Sequence, residues 1–405
     1  MAKVLIIGGG FAGIWAAAGA VRARRAAGAP DDTVAVTLVD AGDDLVIRPR
    51  LYEAGPERMR VPLDRFLGPI GVRRVAATVT DIDTAARRVT ALTRDGAPTH
   101  LDYDRLVLAA GSRLVTPGID GAQHLFDVDT LPAAAALDAH LRQLPGTPAG
   151  EGRFTVVVVG AGFTGLEVAT ELTARLRTVT DEPVRVVLVE RLAVVGPELG
   201  PGPRLEICSA LAGTGVEVLL GSGVAAVDPA GVTLGDGTRI PARTVVWTGG
   251  MRASVLTGRI PGTRDGLGRL EVDEHLRVRG ADGVYAAGDT AAAVAEPGHV
   301  VMQSCQHAVP QGKHVGANVA ADLLGLPLVP FAPDPYVTCL DLGPWGAVLT
   351  TGWERTVALT RDEAKQLKRK INSEWIYPPL DDAETILHHA DHRTTWPTAT
   401  VAGSA

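Results

Sequence analysis

Apolar runs and polar breaks along this chain follow one pattern, and the pattern occurs twice. Val4-Leu5-Ile6-Ile7 is a continuous apolar run closed by glycines. Small and apolar residues follow from Phe11 to a basic end at Arg22, Arg24 and Arg25. A short apolar run bounded by turn residues predicts a buried strand, and the longer segment predicts a helix that stops near Gly28-Ala29-Pro30. Val34 to Val39 is the next buried strand, and it ends on Asp40. Phe154 to Val159 reopens the pattern, and Val184 to Val189 ends on Glu190. After each unit come shorter strands: Arg74 to Val79 and Val89 to Leu92 in the first half, Gly215 to Leu220 and Gly231 to Leu234 in the second. Asp95-Gly96 and Asp236-Gly237 mark tight turns. Each half then closes on a strand ending in small residues, Tyr103 to Ser112 and Thr244 to Gly250. The order of elements predicts a nested duplication joined by the Ala-, Pro- and Gly-rich stretch 118–152.

The two breaks after the opening strands carry chemistry. Gly8-Gly9-Gly10-Phe11-Ala12-Gly13 and Gly160-Ala161-Gly162-Phe163-Thr164-Gly165 both read GxGxxG between a strand and a helix. The first glycine allows the tight turn, and the second lets backbone approach a pyrophosphate. The third lets the helix, whose N-terminus faces the phosphates, pack closely on the strand. Asp40 and Glu190 close the following strands, where a carboxylate accepts hydrogen bonds from a ribose. Glu190 favours NADH over NADPH, because it repels a 2′-phosphate, and the adjacent Arg191 pulls the other way. Small residues at Ala110-Gly111 and Gly249 let backbone lie against a cofactor. Gly288-Asp289, delivered by the short strand Gly283 to Ala287, is a turn or cap when taken alone. After two dinucleotide units it identifies the first nucleotide as FAD: Asp289 accepts from a polyol hydroxyl, and the peptide dipoles after it stabilise charge on a reduced flavin.

Composition narrows the class. A chain of 405 residues suggests two or three domains, and a net charge of −7 argues against nucleic acid. No apolar run reaches the roughly 18–20 residues of a membrane span. The N-terminus enters a core strand directly, which leaves no room for a signal peptide. Cys208, Cys305 and Cys339 are far apart, with no CxxC, so a dithiol pair close in sequence is excluded and a reducing cytoplasm is expected.

Together these motifs resemble the two-dinucleotide-domain flavoproteins of the pyridine nucleotide–disulfide reductase superfamily, and within it the type II NADH dehydrogenases. The resemblance covers about residues 3 to 325. Pro49-Arg50-Leu51-Tyr52-Glu53 loosely matches the family's Pro-Leu-Leu-Tyr-Glu-type segment. Thr164-Gly165-Leu166-Glu167, Trp247 to Gly250 and Gly288-Asp289 match three more motifs. The disulfide reductases proper are excluded, since no cysteine pair follows the first glycine motif. The family's quinone-side signature, Ala-Gln-x-x-x-Gln-Gln-Gly, is matched at Gln306, Gln311 and Gly312, with Cys305 in place of alanine and Pro310 in place of the first paired glutamine. A proline inside a helix costs about 3 kcal/mol, so the helix is expected to begin near Pro310 or to kink there.

The resemblance implies an α/β fold of two Rossmann-like domains plus a C-terminal α+β segment. Residues 1–114 and 265–325 would bind FAD, 115–264 would bind NAD(P)H, and 326–405 would form a cap. It implies hydride transfer from NADH to FAD and reduction of a quinone-type acceptor. Glu167, Gln306 and Gln311 are the candidate catalytic residues. Candidate cofactor-binding residues are Gly8, Gly10, Phe11, Ala12, Gly13, Asp40, Arg48, Val79, Ala110, Gly111, Gly160, Gly162, Phe163, Thr164, Gly165, Glu190, Gly249, Gly288 and Asp289. His307 and His314 are further candidates for proton donation, and Cys305 is either a reactive or a buried inert thiol. No metal is expected, although His388, His389 and His392 cluster in sequence. The alternatives are a soluble flavoprotein serving a small organic substrate or redox partner, and a non-catalytic NADH sensor. Residues 360–377 are read as a helix with Ala364, Leu367, Ile371 and Trp375 on one stripe and Lys365, Lys368, Arg369 and Lys370 around it. A basic helix with a tryptophan suits an anionic membrane surface, here the inner face of the cell membrane. Packing on its own core or on a dimer partner is the competing role. Residues 381–405 read as an arm or loose tail.

Overall fold

The structure, a computed structural model, describes residues 1–395. A seven-stranded sheet carries the first half, in the order 284–286, 105–108, 2–7, 34–40, 73–83, 88–93, 98–102. Its first five strands run parallel, because the connections between them cross over. The strand Arg73–Asp83 begins parallel to the second strand, with Asp40 opposite Ala76, and then turns into an antiparallel meander with Arg88–Thr93. The second half repeats the parallel core with four strands, 216–219, 185–189, 155–159 and 244–247. All residues of the strand Thr155–Val159 are buried, as its unbroken valines require. Strands Ser112–Leu114 and Met251–Ala253 pair antiparallel and tie the two halves together.

The helix Phe11–Ala26 packs along Cys305–Leu323. Small residues allow this approach: a Cβ on Gly312 would lie 2.5 Å from the Ala12 carbonyl oxygen, and one on Gly316 would lie 2.2 Å from that of Ala16. Cys305–Leu323 is continuous, with Ser304 as its N-cap and Pro310 inside it. The helix therefore begins five residues before Pro310 and not at it. Packing against the first glycine helix holds the turn that the proline leaves without an N–H donor.

A third, antiparallel sheet, 337–341, 347–351 and 356–360, opens the C-terminal part. The helix Arg361–Lys370 leaves its last strand and widens into a π-turn at Ile371–Trp375. Asp362 and Glu363 open that helix and Lys368, Arg369 and Lys370 close it, in the sense the helix dipole favours. Part of the expected tail is ordered: Ala383–His389 is a helix capped by Asp382, with Ile386 and Leu387 buried. Residues 396–405 lie outside the described residues.

Candidate functional site

The two glycine turns are superposable in kind. Gly8 and Gly160 have φ of +111° and +107°, which an L side chain rarely adopts. A Cβ on Gly13 would lie 1.8 Å from the Gly8 carbonyl oxygen, and one on Gly165 would lie 1.8 Å from that of Gly160. The helices beginning at Phe11 and Phe163 have no side chain of the N-cap glycine to satisfy their first N–H groups. Asp40 accepts from the N–H groups of Gly9 and Gly42, both at 2.7 Å. Glu190 does the same for Ala161 at 2.8 Å and Leu192 at 2.9 Å. These acids thus brace the loops, and each carboxylate oxygen keeps a lone pair for a ribose hydroxyl. Thr248 donates to the carbonyls of Val159 (2.9 Å) and Gly160 (3.2 Å), which sets Gly249 beside the second turn.

Five distant segments converge near the first turn. Ser112 donates to Asp289 Oδ2 at 2.5 Å, and Arg48 Nη1 lies 3.0 Å from Ser112 Oγ and 3.7 Å from the same Asp289 oxygen. Arg48 also pairs with Asp129. Burial pushes the Asp289 carboxyl up, and the Ser112 hydroxyl and Arg48 oppose it. Gln311, fully buried, accepts from the Gly288 N–H at 3.1 Å, and its Nε2 has no partner among the described residues. Ala110 and Gly111 are half-buried on the segment leading to Ser112. Val79 pairs with Ala91 in the meander and packs on the core. Ser112 and Asp129 escaped the sequence reading. Ser112 directly follows the small-residue strand end, a usable signal, whereas Asp129 lies in the linker with none.

Glu167 sits one turn into the second glycine helix and is buried. Its Oε1 accepts from Lys368 Nζ at 2.9 Å and from the Asp341 N–H at 3.1 Å. Burial raises the carboxyl to about 7, and the Asp341 charge adds to this while Lys368 opposes it. Burial works against the charge on Lys368 too, but Glu167 holds its ammonium above the ordinary lysine range. Lys368 also donates to the Cys339 carbonyl (3.1 Å) and lies 5.8 Å from the ring centroids of Tyr52 and Phe163. Asp341 accepts from Lys365 at 2.5 Å and from the Tyr52 hydroxyl at 3.0 Å. Asn372 reaches Tyr52 and Glu53, and Arg50 clasps Glu53. The Pro49–Glu53 segment and the C-terminal part therefore meet over Glu167.

This arrangement corrects several expectations. Lys365 and Lys368 turn inward, so the inward line of the helix is Ala364, Lys368 and Asn372 rather than the apolar stripe alone. The spacing i, i+4, i+8 was there to be read. Gln306 and Gln311, five residues apart, make separate contacts: the Gln306 amide, oriented to satisfy both groups, pairs with the Val337 carbonyl (2.6 Å) and N–H (3.1 Å). Burial lowers His307 and His314 to about 4, so both are neutral near pH 7 and lack a proton to donate as imidazolium. Burial also pushes the thiols of Cys305 and Cys339 up, to about 11 and about 12, which makes them inert.

Two dinucleotide turns in one chain, with a buried acid–lysine pair on the helix of the second, define a two-nucleotide oxidoreductase. The chain belongs to the pyridine nucleotide-disulphide oxidoreductase family, whose profile matches residues 2–312. It is 47% identical over 392 residues to an NADH dehydrogenase-like protein of Mycobacterium tuberculosis, covering 96% of this chain and 97% of that one. A type II NADH:quinone oxidoreductase of the same species is 31% identical over 353 residues, 77% of this chain and 72% of that one. Among solved structures, NDH2 from Plasmodium falciparum in complex with NADH has the same fold, with a TM-score of 0.77 at 14% identity over 96% of each chain.

Proposed function

We propose that this protein is an FAD-dependent oxidoreductase that takes hydride from NADH and reduces a quinone. The observation that carries this reading is Glu167, on the helix whose N-terminal turn is read as the NADH site, buried, raised to about 7 and set against Lys368 of the C-terminal part. The residues around the first turn suit FAD: a glycine turn with free helix N–H groups, Asp40 at the ribose position, and Arg48, Ser112 and Asp289 for the rest of the cofactor. The division assigned is 1–114 with 265–325 for FAD, 115–264 for NADH and 326–405 as the cap over Glu167.

FAD held there would supply the hydride acceptor for NADH and the two-electron donor for the acceptor. The quinone takes two electrons and two protons: one proton equivalent arrives with the hydride, and the other comes from the medium by way of Glu167. Glu167 supplies the proton step. Its Oε1 is engaged by two donors, so Oε2 is the atom left to hold a proton, and a carboxyl titrating near 7 both gains and loses it at working pH. Lys368 holds that carboxyl in place and keeps positive charge beside a reduced acceptor oxygen. Gln311 positions the Gly288 turn, and Gln306 anchors the cap through Val337. Since two lysines turn inward, membrane contact is assigned to exposed Arg369 and Lys370 with half-buried Trp375.

Anaerobic stopped-flow tests the reading: the yellow protein is bleached with NADH and then mixed with a short-chain ubiquinone or a menaquinone. Reoxidation at several turnovers per second supports it. Bleaching by NADH with no quinone response refutes the acceptor and favours a soluble substrate. Bleaching by NADPH alone refutes the role given to Glu190.

A further inference from the structure

The two glycine turns differ in one respect. At the first, a Cβ placed on Gly10 would meet nothing within 4 Å among the described residues, which leave the approach to the helix N-terminus open. At the second, a Cβ on Gly162 would lie 2.8 Å from Glu198 Oε1, and that oxygen accepts from the Phe163 N–H at 2.8 Å. Glu198 belongs to a separate loop. Gly196 and Gly200 bracket it, both with positive φ (+58° and +69°), and Leu199 beside it is buried. The loop is held on both sides: the Gly196 N–H donates to the Ala161 carbonyl at 3.0 Å, and a Cβ on Gly202 would lie 2.3 Å from the Arg355 carbonyl oxygen. The Glu198 side chain is exposed on this anchored loop, so rotation about its own torsions frees the N–H.

We propose that Glu198 is a built-in competitor for the dinucleotide, a carboxylate that occupies the pyrophosphate position of the second turn and must swing out before NADH seats. This rests on the reading of the second turn as the NADH site. A carboxylate on a helix N-terminal N–H makes a charge-assisted bond of the same kind a phosphate oxygen makes there, so the two anions exclude each other. The asymmetry fits the traffic at the two turns. FAD stays bound and needs an open cradle. NADH must enter and NAD⁺ must leave at every turnover, and a returning carboxylate speeds that release.

The test is calorimetric binding of ADP-ribose, which carries the pyrophosphate without the hydride chemistry, to the FAD-loaded wild type and to Glu198→Gln and Glu198→Ala. Both variants are expected to bind about tenfold more tightly, the order of a charge-assisted hydrogen bond that the ligand no longer has to break. FAD content should be unchanged, because the first turn has no counterpart of Glu198 among the described residues. A helix-capping role alone would lower the Tm of Glu198→Ala and leave the Kd where it was; that result, or weaker binding in both variants, overturns the proposal while leaving the NADH site intact. If ADP-ribose binds none of the three proteins and NADH fails to bleach the flavin, the NADH reading falls and the proposal with it.

Discussion

Replacing Lys368 with methionine probes the site most directly, since methionine keeps much of the side-chain volume and removes the charge. In the wild type the ammonium lies 2.9 Å from Glu167 Oε1 inside the protein, and it opposes the upward push of burial and of Asp341. A hydrogen bond to a charged group contributes about 1.5–3 kcal/mol, and one pKa unit corresponds to about 1.36 kcal/mol. Loss of Lys368 should therefore raise the Glu167 carboxyl from about 7 by roughly one to two units. The protein survives, because the carboxyl takes up a proton rather than staying buried as an unpaired charge. The assay is anaerobic stopped-flow of both half-reactions over a pH series from about 5.5 to about 9.5, the span that brackets the expected titration. The pH limb of the quinone half-reaction should move up in Lys368→Met, while bleaching by NADH, which needs no acid, stays within about twofold. A limb that remains near 7, or a bleaching step that slows as much as reoxidation, would refute this account of Glu167.

Other expectations follow from neighbouring contacts. Arg48→Ala removes the cation beside Ser112 and Asp289, and should weaken FAD retention roughly tenfold, read as the Kd from flavin fluorescence on dilution. Gly312→Val drives a side chain into the Ala12 backbone, 2.5 Å from the new Cβ; overpacking of this kind costs about 1–3 kcal/mol, and a calorimetric Tm equal to wild type would contradict it. Stability should itself depend on pH through Glu167. Its folded pKa, about 7, lies above the ordinary 4.5, so the folded state binds the extra proton. That contribution is present below about 4.5 and lost as pH rises through about 7, and urea midpoints over this window measure it.

The nucleotide turns were legible in the chain because their chemistry is local. A strand, a glycine with positive φ, a third glycine under a helix and an acid closing the next strand all fall within about forty residues, and every constraint acts on near neighbours. Gly8, Gly13, Asp40 and their counterparts Gly160, Gly165 and Glu190 stand where the sequence places them. Pro310 shows the limit of local reasoning. Helix propensity argues for a helix that starts there, yet the helix begins at Cys305 and runs through the proline, packed against Phe11–Ala26.

The acid–lysine site was half visible. Glu167 could be found from its motif, but its partner lies 201 residues away in the segment with the weakest resemblance. Read along the helix alone, Lys368 belongs with Lys365 and Lys370 as a solvated basic face. The sequence by itself thus determined the two dinucleotide units, their order and the identity of the acid. Tertiary structure decided which lysine faces that acid, where its pKa falls and which anion sits on the second turn. The physical reason is that burial and charge pairing act through space, between groups whose separation along the chain carries no trace of their contact.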